Sequence, residues 1–367
     1  MKIISTILLV GAIQGVFLTL FLVFNKQGNR VANRILAANL AIFSLSIILH
    51  AFIHSILGHQ FPLHEIIMHT IFILVAPLLF LYIKSLTQIQ YHFTSKEVLH
   101  FLPFLTGFTL GLVRITIFYE YDASSLFIFL LEKSVWFILA VTTAAYLMLS
   151  IIKLKHHFQN IQSNFSYLEK ITLNWLKYIL IAYIISFSLA LIFEFSHNSD
   201  MLYNYFFVLI AIFMYSIGYI GLKQPVIFSG DFYINQNEPP IQRKKYEKSA
   251  LDEEKAELYF KRLNNVIQTE KPYLRSDLTL PDLAKLVSIS THHLSQIINE
   301  KLNQNFFEFI NGYRVEEAKN LFATPQRKDY NISHIAFDVG FNSLSAFNAA
   351  FKKYTQTTPS QYRKQFN

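Results

Sequence analysis

Seven long apolar runs fill the first 222 residues, and they constrain this chain more than any other feature. Hydrocarbon offers no partners to backbone N–H and C=O groups, so such runs must become helices or a closed barrel. A spanning helix needs about 20 mostly apolar residues. Residues 3–24, 35–57, 66–86, 98–118, 126–152, 171–195 and 201–222 each meet that length. The first run is too long for a cleaved signal peptide, and no small-residue cleavage site follows it. Only 15% of the residues are charged, against about 25% in an ordinary soluble domain, and the deficit falls before residue 223. The expected fold is all-α. It comprises a transmembrane bundle over 1–222, a juxtamembrane linker over 223–248 and a soluble helical domain over 249–367.

The loops set the orientation. Lys26, Arg30 and Arg34 follow the first run, Lys84 and Lys96 flank the next alternate loop, and Lys153, Lys155 and Lys170 occupy the one after. The remaining loops, 58–65, 119–125 and 196–200, hold no Lys or Arg. Basic residues stay on the cytoplasmic side of a bacterial inner membrane. The N-terminus is therefore expected outside and the tail inside.

Charges inside apolar runs are costly and usually paired or functional. Arg114, Glu132 and Glu194 are the intramembrane candidates. Arg114 and Glu132 lie at similar depth on runs four and five, which predicts an ion pair if those helices are neighbours. That pair reads either as a clasp of the bundle or as the polar anchor of a ligand. Glu132 and Lys133 are adjacent, so they point to different helix faces and are not expected to pair. His50, His54, His59, His64 and His69 gather at the outer end of runs two and three. His50, His54, His64 and His69 are weak candidates for a transition metal or a pH sensor, or else interfacial side chains with ordinary hydrogen bonds. Gly11 with Gly15, and Gly107 with Gly111, have the spacing for close helix approach, within one bundle or across a dimer seam.

Other chemistry is poorly supported. Cysteine is absent, which excludes disulfides, thiol catalysis and Cys-based metal sites. No phosphate loop, nucleophile motif or complete ligand set is present, so neither an enzyme nor a cofactor is expected. The net charge of +8 favours nucleic acid or anionic lipid as a partner.

Past Lys223 the composition changes. Gln224-Pro225, Ser229-Gly230, Pro239-Pro240 and the basic Arg243-Lys244-Lys245 read as a linker near the membrane surface. Tyr259, Phe260, Leu263, Val266 and Ile267 then recur at helical spacing. Two copies of one pattern follow. In the first, Thr279 and Asp282 open a helix that buries Leu283, Ala284 and Leu286, Ser288-Ile289-Ser290 forms a turn, and 291–302 is a second helix. In the second, Asn331 caps 332–339, Gly340 ends it, and Ser343 caps a helix carrying Leu344, Phe347 and Phe351. A longer helix over 306–322 joins the copies, and Thr358-Pro359 starts a last short one. A short helix, a turn and a second helix form the unit that enters the DNA major groove.

From Leu278 to Arg363 the sequence resembles the AraC/XylS family of transcription regulators. The resemblance rests on Leu283-Ala284, Leu294-Ser295, Arg314 with Glu317-Ala318 and Leu321, and Ile335-Ala336. It continues through Val339-Gly340-Phe341-Asn342-Ser343, Phe347, Phe351-Lys352-Lys353, Thr358-Pro359-Ser360 and Tyr362-Arg363. It implies two helix-turn-helix units inserting two recognition helices into successive major grooves, with RNA polymerase as a partner. The chain departs from the family at Gln356, near a common glycine, and at Ala349, where arginine is common. The layout as a whole resembles membrane-bound regulators of this type.

Base contacts are expected from Thr291, His292, Ser295, Gln296 and Asn299 in the first recognition helix, and from Leu344, Ser345, Asn348 and Lys352 in the second. Lys352, Lys353 and Arg363 suit phosphate contacts. Arg314 is expected to be a structural ion-pair partner. The function read from the sequence is a membrane-anchored transcription regulator that couples a signal ligand or membrane state to double-stranded DNA, with dimerisation through the lipid bilayer part as a coupling device. The competing reading is a membrane enzyme or transporter whose helical tail is a regulatory or docking module.

Overall fold

The computed structural model describes residues 2–26, 29–56, 70–88, 91–120, 126–168, 173–194, 207–212, 216, 251–324 and 330–366. The chain divides into two compact units. The first comprises Met1–Lys155 and Leu173–Tyr233, and the second comprises His156–Thr172 and Ile234–Asn367.

The first unit contains α1 (Lys2–Phe24), α2 (Arg30–Ile56), α3 (Val75–Thr87), a 3-10 turn (Ser95–Phe101), α4 (Leu102–Glu120), most of α5 (Leu126–Asn164) and α6 (Asn174–Glu194). Among the described residues, six helices are long and apolar enough to cross a membrane. They are Thr6–Phe24, Arg30–His50, Thr70–Thr87, Ser95–Ile117, Leu126–Asn164 and Asn174–Ile192. Most of the expected seventh run, 201–222, lies outside the described residues, although 207–212 is helical. Phe17, Leu20, Phe127, Phe137 and Ile185 are exposed, while Leu36, Leu40, Ile47, Leu81 and Tyr82 are buried together. Such an apolar exterior fits hydrocarbon better than water.

Close approach here is a matter of glycine. A Cβ on Gly11 would sit 2.8 Å from the Ala211 Cβ, and one on Gly107 would sit 2.5 Å from Ile73 Cδ1. Both glycines are therefore used for packing within the bundle. Arg114 and Glu132 pair at 2.9 Å, joining α4 to α5. Lys133 Nζ also lies 3.5 Å from Glu132 Oε1, contrary to the expectation that adjacent residues stay apart. The flexible lysine stem bends back around the helix. His50 is buried and its ring stacks on Phe207 at 4.0 Å. Among the described residues no group of His, Asp or Glu is placed to hold a metal. His59, His64 and His69 lie outside the described residues, as do the side chains of His54 and Glu194.

Helix α5 runs twelve residues beyond the expected end of its span at Ile152, replacing a predicted loop. No Pro or Gly interrupts 153–164, and His157 and Ile161, one turn apart, are both buried. Its last residues, with Phe165 and Ser166, belong to the second unit.

That unit continues with α7 (Glu253–Glu270), α8 (Leu280–Val287), α9 (Thr291–Leu302), α10 (Phe306–Ala323), α11 (Ile332–Asp338), α12 (Leu344–Thr355) and α13 (Pro359–Arg363). The sequence sets nearly every boundary. Thr279 with Asp282, Asn305 with Glu308 and Thr358 with Gln361 form capping boxes at the starts of α8, α10 and α13. Ser290 accepts from His293 N, and Ser343 from Ala346 N. Each such cap contributes about 1 kcal/mol. Two cores result. Leu263, Ile267, Leu283, Leu294 and Ile298 pack with Phe306 and Ile310. Val315, Ile335, Val339, Phe347 and Phe351 pack around the other half of α10.

Candidate nucleic-acid interface

The first helix pair is α8 and α9, joined by Ser288–Ser290. Ser288 holds φ at 60°, a left-handed value that lets α9 turn away from α8. The second pair is α11 and α12, joined through Gly340 at φ 92°. A Cβ at Gly340 would come within 2.6 Å of Tyr273 O and 2.7 Å of Leu274 O, so only glycine lets this turn lie on the 273–274 backbone.

The two second helices present their polar residues differently. In α12, Phe347 and Phe351 face the core, while Leu344, Ser345, Asn348, Ala349, Lys352 and Lys353 are exposed. Lys353 pairs with Glu308 at 2.8 Å. In α9, the whole stretch Leu294, Ser295, Gln296, Ile297 and Ile298 is buried. At 100° per residue, Gln296 lies opposite the core-facing Leu294 and Ile298, yet it is 5% exposed. Its amide donates to Glu300 Oε2 at 3.1 Å. Asn299 Nδ2 donates to Ser295 O at 2.8 Å. Thr291 is exposed, and His292 and Asn299 are half-buried. Arg363, expected on a phosphate, donates to Tyr330 O at 2.8 Å and ties α13 to the start of the second pair.

Arg314, in α10, sits between the pairs and is 1% exposed. A guanidinium has five N–H donors, and five acceptors surround this one. Nε donates to Tyr273 O at 2.7 Å. Nη1 donates to Ser166 O at 2.9 Å and Asn311 Oδ1 at 3.1 Å. Nη2 donates to Arg275 O at 2.7 Å and Ser166 Oγ at 3.1 Å. The Phe341 ring lies 5.6 Å from its Cζ. These partners are carbonyl, amide and hydroxyl oxygens, which corrects the expected ion pair. Burial pulls the Arg314 guanidinium down to about 9, which still leaves it charged at neutral pH. Burial, followed by the nearby Glu317 carboxylate, pushes the Tyr273 phenol up. Nothing local in Asn164-Phe165-Ser166-Tyr167 marks Ser166 as a partner of this arginine, so sequence reasoning missed it.

Residues 283–365 match the model of the family described as "Helix-turn-helix domain". The C-terminal unit carries a helix-turn-helix domain of AraC type. Similar proteins include an HTH-type transcriptional regulator from Staphylococcus aureus, 37% identical over 103 residues, or 28% of this chain and 13% of that protein. The regulatory protein PocR of Salmonella typhimurium is 32% identical over 95 residues, or 26% of this chain and 30% of that protein. The chain thus spans less than a third of the length of either relative. Among solved structures, the C-terminal domain of AraT, a response regulator from Geobacillus stearothermophilus, is 28% identical. It covers 29% of this chain and 84% of that one, with a TM-score of 0.25.

Proposed function

We propose that this chain is a membrane-anchored, sequence-specific regulator of transcription that couples a membrane or extracytoplasmic signal to gene expression. One observation carries the reading: a helix-turn-helix domain over 283–365 shares a chain with six helices apolar enough to span a membrane. The spans number seven, with the N-terminus outside, the domain in the cytoplasm and residues 223–248 as a linker. The two helix pairs act as two helix-turn-helix units reading successive major grooves. The exposed face of α12, with Ser345, Asn348 and Lys352, supports this role directly. Thr291, His292, Ser295, Gln296 and Asn299 form the matching face of α9. Lys352 contributes a phosphate contact, as do Lys353 and Arg363 once they leave Glu308 and Tyr330. Arg114 with Glu132 clasps the bundle that receives the signal ligand, and a homodimer raises the effective concentration of the two domains on DNA. RNA polymerase is the partner through which occupancy becomes transcription.

The test uses the full chain in lipid nanodiscs, presented with a library of genomic DNA fragments at two salt concentrations. Retention of a few fragments, weakening as salt rises, is the expected result. Retention that ignores sequence at both salts would refute sequence-specific regulation.

A further inference from the structure

The family match begins at residue 283, yet the second unit also includes residues from far upstream. Phe165 pairs with Thr279 in an antiparallel bridge. Ser166 is 1% exposed, its N–H donates to Leu278 O at 3.3 Å, and its hydroxyl donates to the same oxygen at 2.7 Å. Its carbonyl accepts from Arg314 Nη1, and from Asn311 Nδ2 at 3.5 Å, while its hydroxyl oxygen accepts from Arg314 Nη2. One residue therefore touches the entrance to the first helix pair and the helix that links both pairs. It also supplies two of the five acceptors around a buried cation. Leaving the donors of a buried cation unpaired is costly, so the domain cannot be indifferent to this segment. Phe165 and Ser166 directly follow α5, whose apolar part is one of the six membrane-length helices.

We infer that Phe165–Ser166 is an autoinhibitory latch, through which a change at α5 reaches the junction of the two helix pairs. The inference rests on the regulator reading above. The latched state is the restrained one, because Phe165 and Ser166 tie Leu278 and Thr279, at the start of the first helix pair, to Arg314 of α10. Release frees the junction at Arg314 and Leu278 and lets the first helix pair move into its groove. The signal route then runs through the segment after α5, in addition to the linker at 223–248.

The chain has no cysteine, so an engineered pair is unambiguous. In the bridge, Ser166 N bonds Leu278 O, which makes Phe165 and Thr279 a non-hydrogen-bonded pair. Such pairs place their Cα atoms about 4.5 Å apart, within disulfide range. The experiment compares full-length F165C/T279C, oxidised and reduced, with Ser166→Ala and with Thr279→Cys alone, which controls for the lost cap. All are held in nanodiscs, and the probe is a genomic DNA fragment retained selectively by the reduced protein. The oxidised form should bind at least tenfold more weakly than the reduced one, and Ser166→Ala several-fold more tightly than the parent. Equal affinity in both redox states would reduce the contact to simple packing and overturn the latch. Failure of the disulfide to form under mild oxidant would overturn it as well. Absence of selective binding in every form, reduced and parent included, would instead remove the regulator reading itself.

Discussion

Helices α9 and α12 are both 12 residues long, both begin on a serine cap and both end on a left-handed residue, Asn303 or Gln356. They differ in what surrounds them. Along α12 burial recurs at Phe347 and Phe351 and the opposite face is open, as in an amphipathic helix. Along α9 five successive residues are buried, including Gln296 on the face away from the core. Local rules thus make two alike helices, while how much of each lies open depends on what packs against it.

The largest test of the comparison is at the turns. Gly340→Ala places a Cβ against two backbone oxygens at positive φ, and should cost about 3 kcal/mol. Hydrogen exchange over 332–355 in the full chain should accelerate far more than over 280–302. Equal acceleration in both segments would show that the pairs unfold as one.

Asn348→Ala should weaken selective DNA binding by about 1–3 kcal/mol. Gln296→Ala should have a smaller effect in the parent chain and a comparable one in Ser166→Ala. Equal losses in the parent would mean that both helices read DNA in the latched state. Fragment retention against competitor DNA measures each.

Smaller gains are expected from glycine where a side chain now occupies a left-handed position. Ser288→Gly in the first turn and Gln356→Gly at the end of α12 should each stabilise the domain by about 1 kcal/mol. Gln356 recovers part of that strain by donating from Nε2 to Lys353 O at 3.0 Å, so its gain should be the lesser. Denaturant titration followed by exchange of the same segments ranks the two, and a loss at Ser288→Gly would contradict the strain argument. The slightest change is expected of Lys352→Ala, which should lower the salt dependence of binding by about one ion without altering which fragments are retained.

Much of this was legible in the residues themselves. Six of the seven expected runs appear as membrane-length helices, and the caps at Thr279, Asn331 and Ser343 stand where the sequence puts them. Gly340 ends α11 as its type predicts. Each is a local effect, decided within about one helical turn by hydrogen-bond supply, side-chain branching or apolar spacing. Tertiary structure decided what local rules cannot reach: the continuation of α5 past Ile152, the burial of Gln296, and the choice of acceptors for Arg314. The Ser166–Arg314 contact closes a separation of 148 residues. No periodicity encodes such a contact. Its selection depends on which oxygens lie near a buried guanidinium once the helices have packed.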